Sequence, residues 1–278
     1  MKASETLVAL VNQMPQPDAQ HILGTVDKQA VEKALGEILR GGRDNVAGLV
    51  DLLVEAGKGD DGKARYALHA LAVEVCKRTD VKQRQTFVEV LASSLGNDRP
   101  KEVRAFLIRQ LQVAGTREAA PALGKQLLDE DLCEPAAQAL LAIREAAVEQ
   151  FRDALPKATS KQKLTITQAL GVLRDEKSTN ALKGLVSDED REVRLAAGWA
   201  LAHIGDSGSA DLLLKAADRG GFERIKATQA CLLLAETLLA AGKKKEAARV
   251  YAHLRDTRTD PSERYVKEAA LRGLAAVG

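Results

Sequence analysis

The sequence predicts an all-α fold, a right-handed α-solenoid in which antiparallel helical hairpins stack along one axis. Three observations carry this. The stretch DREVRLAAGWALAHIGD, Asp190 to Asp206, places Val193, Ala196, Ala197, Ala200, Leu201 and Ile204 on one stripe, at the i, i+3, i+4, i+7 spacing of a helix face. Hydrophobic residues make up 45% of the 278-residue chain but aromatics only 3%, so Ala, Leu, Val and Ile must fill the core. That composition suits closely approaching helices and gives strands little support. Third, the chain repeats itself. ALGVLRDEKSTNALKGLV from Ala169 aligns without a gap with ALAHIGDSGSADLLLKAA from Ala200, and QLQVAGTREAAPALGKQL from Gln110 follows the same course.

In chain order, Ser4 to Met14 reads as an amphipathic helix within a capping segment, 1–26. Repeats fill 27–218, and 219–278 form a longer hairpin with a closing half repeat, all within one solenoid domain, 1–278. Anchor leucines fall at Leu35, Leu71, Leu111, Leu140, Leu170, Leu201, Leu233 and Leu274, in steps of 29 to 41 residues, one hairpin per step. Breakers mark the turns, at Gly41-Gly42, Gly57 to Gly62, Gly96 to Pro100, Thr159 to Lys161, Ser187 to Asp190, Gly205 to Ser209, Gly220-Gly221 and Thr257 to Ser262. Several turns end on an acidic or hydroxyl residue suited to capping the next helix. A last helix with one neighbour implies a monomer that self-associates weakly at most.

DEDREVRLAAGWALAHIGDSGSADLLLKAA resembles a unit of the HEAT-like repeat family, of the short type found in phycobilisome lyases. Its marks are the Asp-rich turn, the Val-Arg helix start, the Ala-Leu pair and the Gly-Asp turn. RPKEVRAFLIRQLQVAG and PSERYVKEAALRGLAAVG carry the same Val-Arg or Val-Lys start. LLAAGKKKEAARVY resembles instead a tetratricopeptide hairpin, with Gly242, Ala247 and Tyr251 at its small and aromatic positions. The resemblance implies a HEAT-like or armadillo-type superhelix whose Val-Arg helices line a concave surface. It also implies a ladder in which basic residues at helix starts meet turn aspartates, with Asp98, Asp190 and Asp218 in reach. On activity it is nearly silent, since such repeats serve scaffolds, adaptors and a few enzymes.

Comparing positions across repeats locates a candidate site. Seven residues before the anchor stand Lys28, Ala64, Arg104, Cys133, Lys163, Arg194, Lys226 and Lys267, a basic column best read as structural. Two before it stand Lys33, His69, Arg109, Gln138, Gln168, Trp199, Cys231 and Arg272, mostly polar and therefore facing solvent. Trp199, the chain's single tryptophan, sits in that solvent-facing column, and Leu195 lies one turn before it on the same helix face. The site is thus a groove with an apolar centre at Leu164, Leu195 and Trp199, flanked by Arg109, Gln138 and Gln168. The alternative is that the hairpin after Gly220 folds over Trp199 and buries it.

Other chemistries find little support. Lys plus Arg number 41 against 39 Asp plus Glu, a net charge of +2, too balanced for a protein that lives on nucleic acid. Cys76, Cys133 and Cys231 are scattered and read as buried free thiols rather than a disulfide framework or zinc site. His21, His69, His203 and His253 are dispersed, and none precedes a Glu. The repeated His-Glu pairs of the HEAT-like deoxyhypusine hydroxylases are therefore missing. No metal, cofactor or catalytic residue is expected, and the run Lys243 to Lys245 reads as a solvated turn. No segment reaches the roughly 18 uninterrupted apolar residues of a membrane span. The expected function is a non-catalytic scaffold or adaptor holding a protein or peptide; the alternative is an enzyme subunit or lyase-like factor with a ligand site near Trp199. A cytoplasmic location is expected, the alternative being export of a chain that has lost its signal peptide.

Overall fold

Helix starts follow the acidic residues that the turns supply. Asp27, Asp80 and Asp190 accept hydrogen bonds from Gln29, Lys82 and Glu192 backbone amides at 3.1, 3.0 and 2.8 Å. Each satisfies an N–H that the first helical turn leaves without a partner. The computed structural model describes residues 3–16, 26–77, 80–96 and 98–278, and His21 and part of the expected 1–26 cap lie outside these. Among the described residues all regular structure is helical, and the chain divides into two compact units, 1–150 and 151–278.

The first unit holds α1 (Glu5–Val11), α2 (Lys28–Arg40), α3 (Gly42–Asp51), α4 (Gly62–Lys77), α5 (Val81–Ser93), α6 (Lys101–Ala114), α7 (Ala120–Gln126) and α8 (Cys133–Ile143). Within it α2, α4, α6 and α8 pack in succession as a front layer, backed by α3, α5 and α7. Helix α1 buries Leu7, Leu10 and Val11 and packs against α2, α3 and α4. Helix α9 (Ala147–Ala154) lies across the division.

The second unit holds α10 (Ser160–Val172), α11 (Thr179–Leu185), α12 (Arg191–Ile204), α13 (Ala210–Ala217), α14 (Gly221–Ala240), α15 (Lys244–Thr257) and α16 (Arg264–Val277). Here α10, α12 and α14 form the front layer, while α11 and α13 pack behind and α15 lies between α14 and α16. Gly242, at φ +75°, turns α14 into α15, and Ala247 and Tyr251 are buried in the hairpin that follows.

Leu35, Leu71, Leu111, Leu140, Leu170 and Leu201 are enclosed, as an anchor position requires. Two expected anchors are not. Leu274 is half-exposed on α16, and Leu233 is half-exposed on α14 because the repeat register there is displaced by two residues. Arg224, not Lys226, is the counterpart of Arg194, since both bond the carbonyls of the preceding turn and a glutamate farther along the chain. Seven residues on from Arg224 stands Cys231, fully buried, which therefore occupies the anchor position rather than the solvent-facing column. Burial pushes its thiol up to about 12. Cys133 is buried too, but Cys76 is exposed, against the expectation of three buried thiols.

This displacement has a measurable consequence. Leu201→Ala should cost about 2–5 kcal/mol, the range for a fully enclosed leucine, and Leu233→Ala less than half as much. Urea unfolding followed by circular dichroism would distinguish them; equal losses would restore the original register.

Candidate functional site

Two ladders of ion pairs hold the repeats in line. In the front layer, Lys163 meets Asp188 at 2.9 Å, Arg194 pairs with Glu223, and Arg224 grips both carboxylate oxygens of Glu263 at 2.7 and 2.8 Å. In the first unit Arg104, also buried, reaches Asp129 at 3.7 Å and Gln126 at 3.2 Å. Of the six bases in the column, Arg104, Lys163 and Arg194 are structural, and their acids are largely not those expected. Asp190 caps α12, and Asp218 accepts from Arg258 at 3.3 Å. Lys226 and Lys267 are exposed and outside the ladder.

A second ladder escaped the sequence reading. Arg152 on α9 meets Asp175 at 3.1 Å and Lys183 on α11 meets Asp206 at 2.9 Å. Each aspartate also accepts a hydroxyl at 2.5 Å, from Ser178 and Ser209 respectively. The signal was present as DEKS and DSGS at equivalent places in the aligned segments.

These pairs make the array sensitive to acid. The Lys163 ammonium holds Asp188 below its ordinary 3.8, and the Arg194 and Arg224 guanidiniums hold Glu223 and Glu263 below 4.5. Because the folded-state values are depressed, their contribution is complete above the unfolded-state values and declines as pH falls through the folded ones. Stability should therefore drop from about pH 4.5 downward. An Asp188→Asn, Glu223→Gln variant should show a shallower decline in acid titrations of its urea midpoint.

The six predicted site residues fall in both units. Arg109 on α6 and Gln138 on α8 are exposed in the first. Arg109 lines an open recess with Asp61, Arg65 and Glu102, where Arg65 also lies 4.8 Å above the Phe106 ring. Gln138 donates to Glu134 at 3.0 Å. In the second unit, Gln168 on α10 is exposed, whereas Leu164 on α10 and Leu195 and Trp199 on α12 are half-exposed.

Trp199 lies toward α10. Its ring stands 4.0 Å from that of His203, and a Cβ built on Gly171 would fall 2.7 Å from its Cζ3 atom. The close approach of α10 and α12 at this glycine and the His203 ring cover part of the indole, while the remainder meets solvent. Burial, with the charge of Arg174 adding, pushes the His203 imidazole below 6.5, so a neutral ring faces the indole at neutral pH.

The α14 register brings in two residues that the sequence reading missed. Ile225 follows Leu164 and Leu195 at the equivalent place and is 46% exposed, and Phe222, three residues earlier, is 51% exposed. The Arg191 guanidinium lies 5.5 Å and the Lys226 ammonium 5.7 Å from the Phe222 ring centroid. Arg224 at the head of α14 was the overlooked signal: alignment on it instead of Lys226 moves Ile225 into the row. Leu164, Leu195 and Ile225 on three packed helices, with Trp199 and Phe222 beside them, form an apolar surface edged by cations. Such a surface can hold apolar side chains and pair with anions. Among the described residues no group of three His, Cys, Asp or Glu could hold a metal ion, and no helix is long and apolar enough to cross a membrane.

The family described as HEAT repeats matches residues 148–232. No curated protein matches the chain. Among solved structures, the complex of CpcE and CpcF of phycocyanin lyase from Nostoc sp. aligns at 17% identity and a TM-score of 0.42, over 84% of this chain and 94% of that one. Human deoxyhypusine hydroxylase aligns at 18% identity and a TM-score of 0.34, over 98% and 95% of the two chains. A designed armadillo repeat protein in complex with the peptide (KR)4 aligns at 20% identity and a TM-score of 0.30, over 98% and 100%. The stretch that matches HEAT repeats, residues 148–232, is the one that carries the aligned hairpins and most of the two ladders.

Proposed function

We propose that the chain is a non-catalytic protein-binding scaffold, and that the front face of α10, α12 and α14 holds a segment of its partner. One observation carries this reading. Apolar side chains recur at equivalent, solvent-reached positions on three successive helices, Leu164, Leu195 and Ile225. Contiguous apolar surface of this kind, with an aromatic at its centre, is the composition of an interface hot spot. Trp199 and Gln168 complete the face. A photo-crosslinking residue at position 225 should capture one stoichiometric protein from the native host, and the same residue at Leu128, exposed in the first unit, should not. Recovery of a bound chromophore, nucleotide or metal ion in place of protein would overturn the reading.

A further inference from the structure

We infer that the segment held on this face is acidic, a short chain alternating carboxylates with apolar side chains. This rests on the reading of the face as protein-binding and names the partner's chemistry. Along α10, α12 and α14 the exposed cations are Lys161, Arg191 and Lys226. Of the exposed acids at these helix starts, Glu192 is engaged by Arg191 at 2.8 and 3.0 Å, leaving Glu189 in the turn before α12. Glu223 is taken up by Arg194 and Arg219. Among the described residues Lys161 and Lys226 have no ion pair, so two cations stand unneutralised at the edges of the apolar row. With a net charge of only +2 over the whole chain, that excess is local. Complementary charge at the rim, around an apolar centre, is how interfaces select partners and hasten encounter.

The dimensions fit an extended chain. Packed helices lie about 8–10 Å apart, so the three span roughly 20 Å, the length of about six extended residues. Alternation then places every second side chain toward Leu164, Leu195 and Ile225, and the carboxylates between them toward the lysines. Leu164, Leu195 and Trp199 are half sunk between helices, within reach of a narrow chain but not of a flat bilayer.

Trp199, the chain's single tryptophan, reports binding directly through its emission. The probe is a short acetylated peptide alternating glutamate with leucine and one phenylalanine. It is compared with its glutamine counterpart and with phosphatidylserine vesicles. The acidic peptide should shift Trp199 emission and bind roughly tenfold tighter than the glutamine peptide, an advantage that salt erodes. Lys226→Glu should weaken it about threefold to tenfold, and Phe222→Ala by a similar factor, with melting temperatures unchanged. Equal binding of the glutamine peptide would overturn the acidic assignment and leave the protein-binding face standing. Vesicle binding without peptide binding would overturn the assignment in favour of a membrane surface. Silence toward all three probes, together with no crosslink at position 225, would remove the protein-binding reading itself.

Discussion

Arg258→Ala should lower the stability of the second unit by about 2–4 kcal/mol, the worth of a fully buried side chain together with its charge-assisted hydrogen bonds. Only 1% of Arg258 is exposed, yet both its terminal nitrogens find acceptors, and only Nε makes no hydrogen bond. It donates to the Ala217 carbonyl at 3.0 Å, to the Thr257 hydroxyl at 3.0 Å and to Asp218 at 3.3 Å, and its Nε lies 3.8 Å from Glu263. Arg224 shares both the Ala217 carbonyl and the Glu263 carboxylate. Two guanidiniums therefore converge on the C-terminal end of α13, where the unpaired carbonyls and the negative end of the helix dipole favour cations. Truncation empties a packed site and removes the donors to Thr257 and Asp218, although Asp218 is half-exposed to water and the Ala217 carbonyl keeps Arg224 as a donor. Arg258→Lys should recover only part of the loss, because an ammonium cannot serve three acceptors through a planar fork. Trp199 lies in the same unit, so its emission during urea unfolding isolates this effect from the first unit. A loss below about 1 kcal/mol would mean that the network contributes no more than an exposed ion pair.

The all-α architecture was legible because each repeat writes the same rule. A buried leucine with a basic residue seven back recurs in α6, α10 and α12, with an alanine before the leucine in the last two, and all three leucines are enclosed. Legibility failed where the design changes. Helix α14 is 20 residues long and presents leucines at Leu232, Leu233, Leu234, Leu238 and Leu239, so an anchor could be drawn through the wrong one. Its true anchor is a cysteine, which leucine matching passes over. The charge that fixes the register, Arg224, is recognisable only once its partner Glu263 is seen 39 residues away. For the same reason the site was half legible. Leu164, Leu195 and Trp199 were found from columns, while Ile225 and Phe222 depended on the register and were lost with it. The second ladder was missed for a different reason: its bases, Arg152 and Lys183, sit on α9 and α11, outside the helices that carry the anchor leucines.

Gly171→Val should be the most damaging single substitution near the site, at about 3 kcal/mol or more, combining overpacking with a branched side chain late in α10. The reason is geometric. A Cβ at Gly171 would lie 2.7 Å from Trp199 Cζ3 and 2.8 Å from both the Cα and the Cβ of Ala200. The indole could swing away, but Ala200 Cα belongs to the backbone of α12, so relief requires α10 and α12 to separate. That separation would uncover the sheltered part of Trp199 and loosen the row in which Leu164 and Leu195 stand. The variant should keep its helical circular dichroism at low temperature, melt earlier and show red-shifted tryptophan emission. Gly184→Ala on α11 is the control, since nothing lies within 4 Å of its Cβ position, and there the gain in helix propensity should leave stability level or slightly higher. Gly171→Val with unchanged emission and melting would mean that α10 and α12 are not in close contact here, and would take with it the continuity of the apolar face.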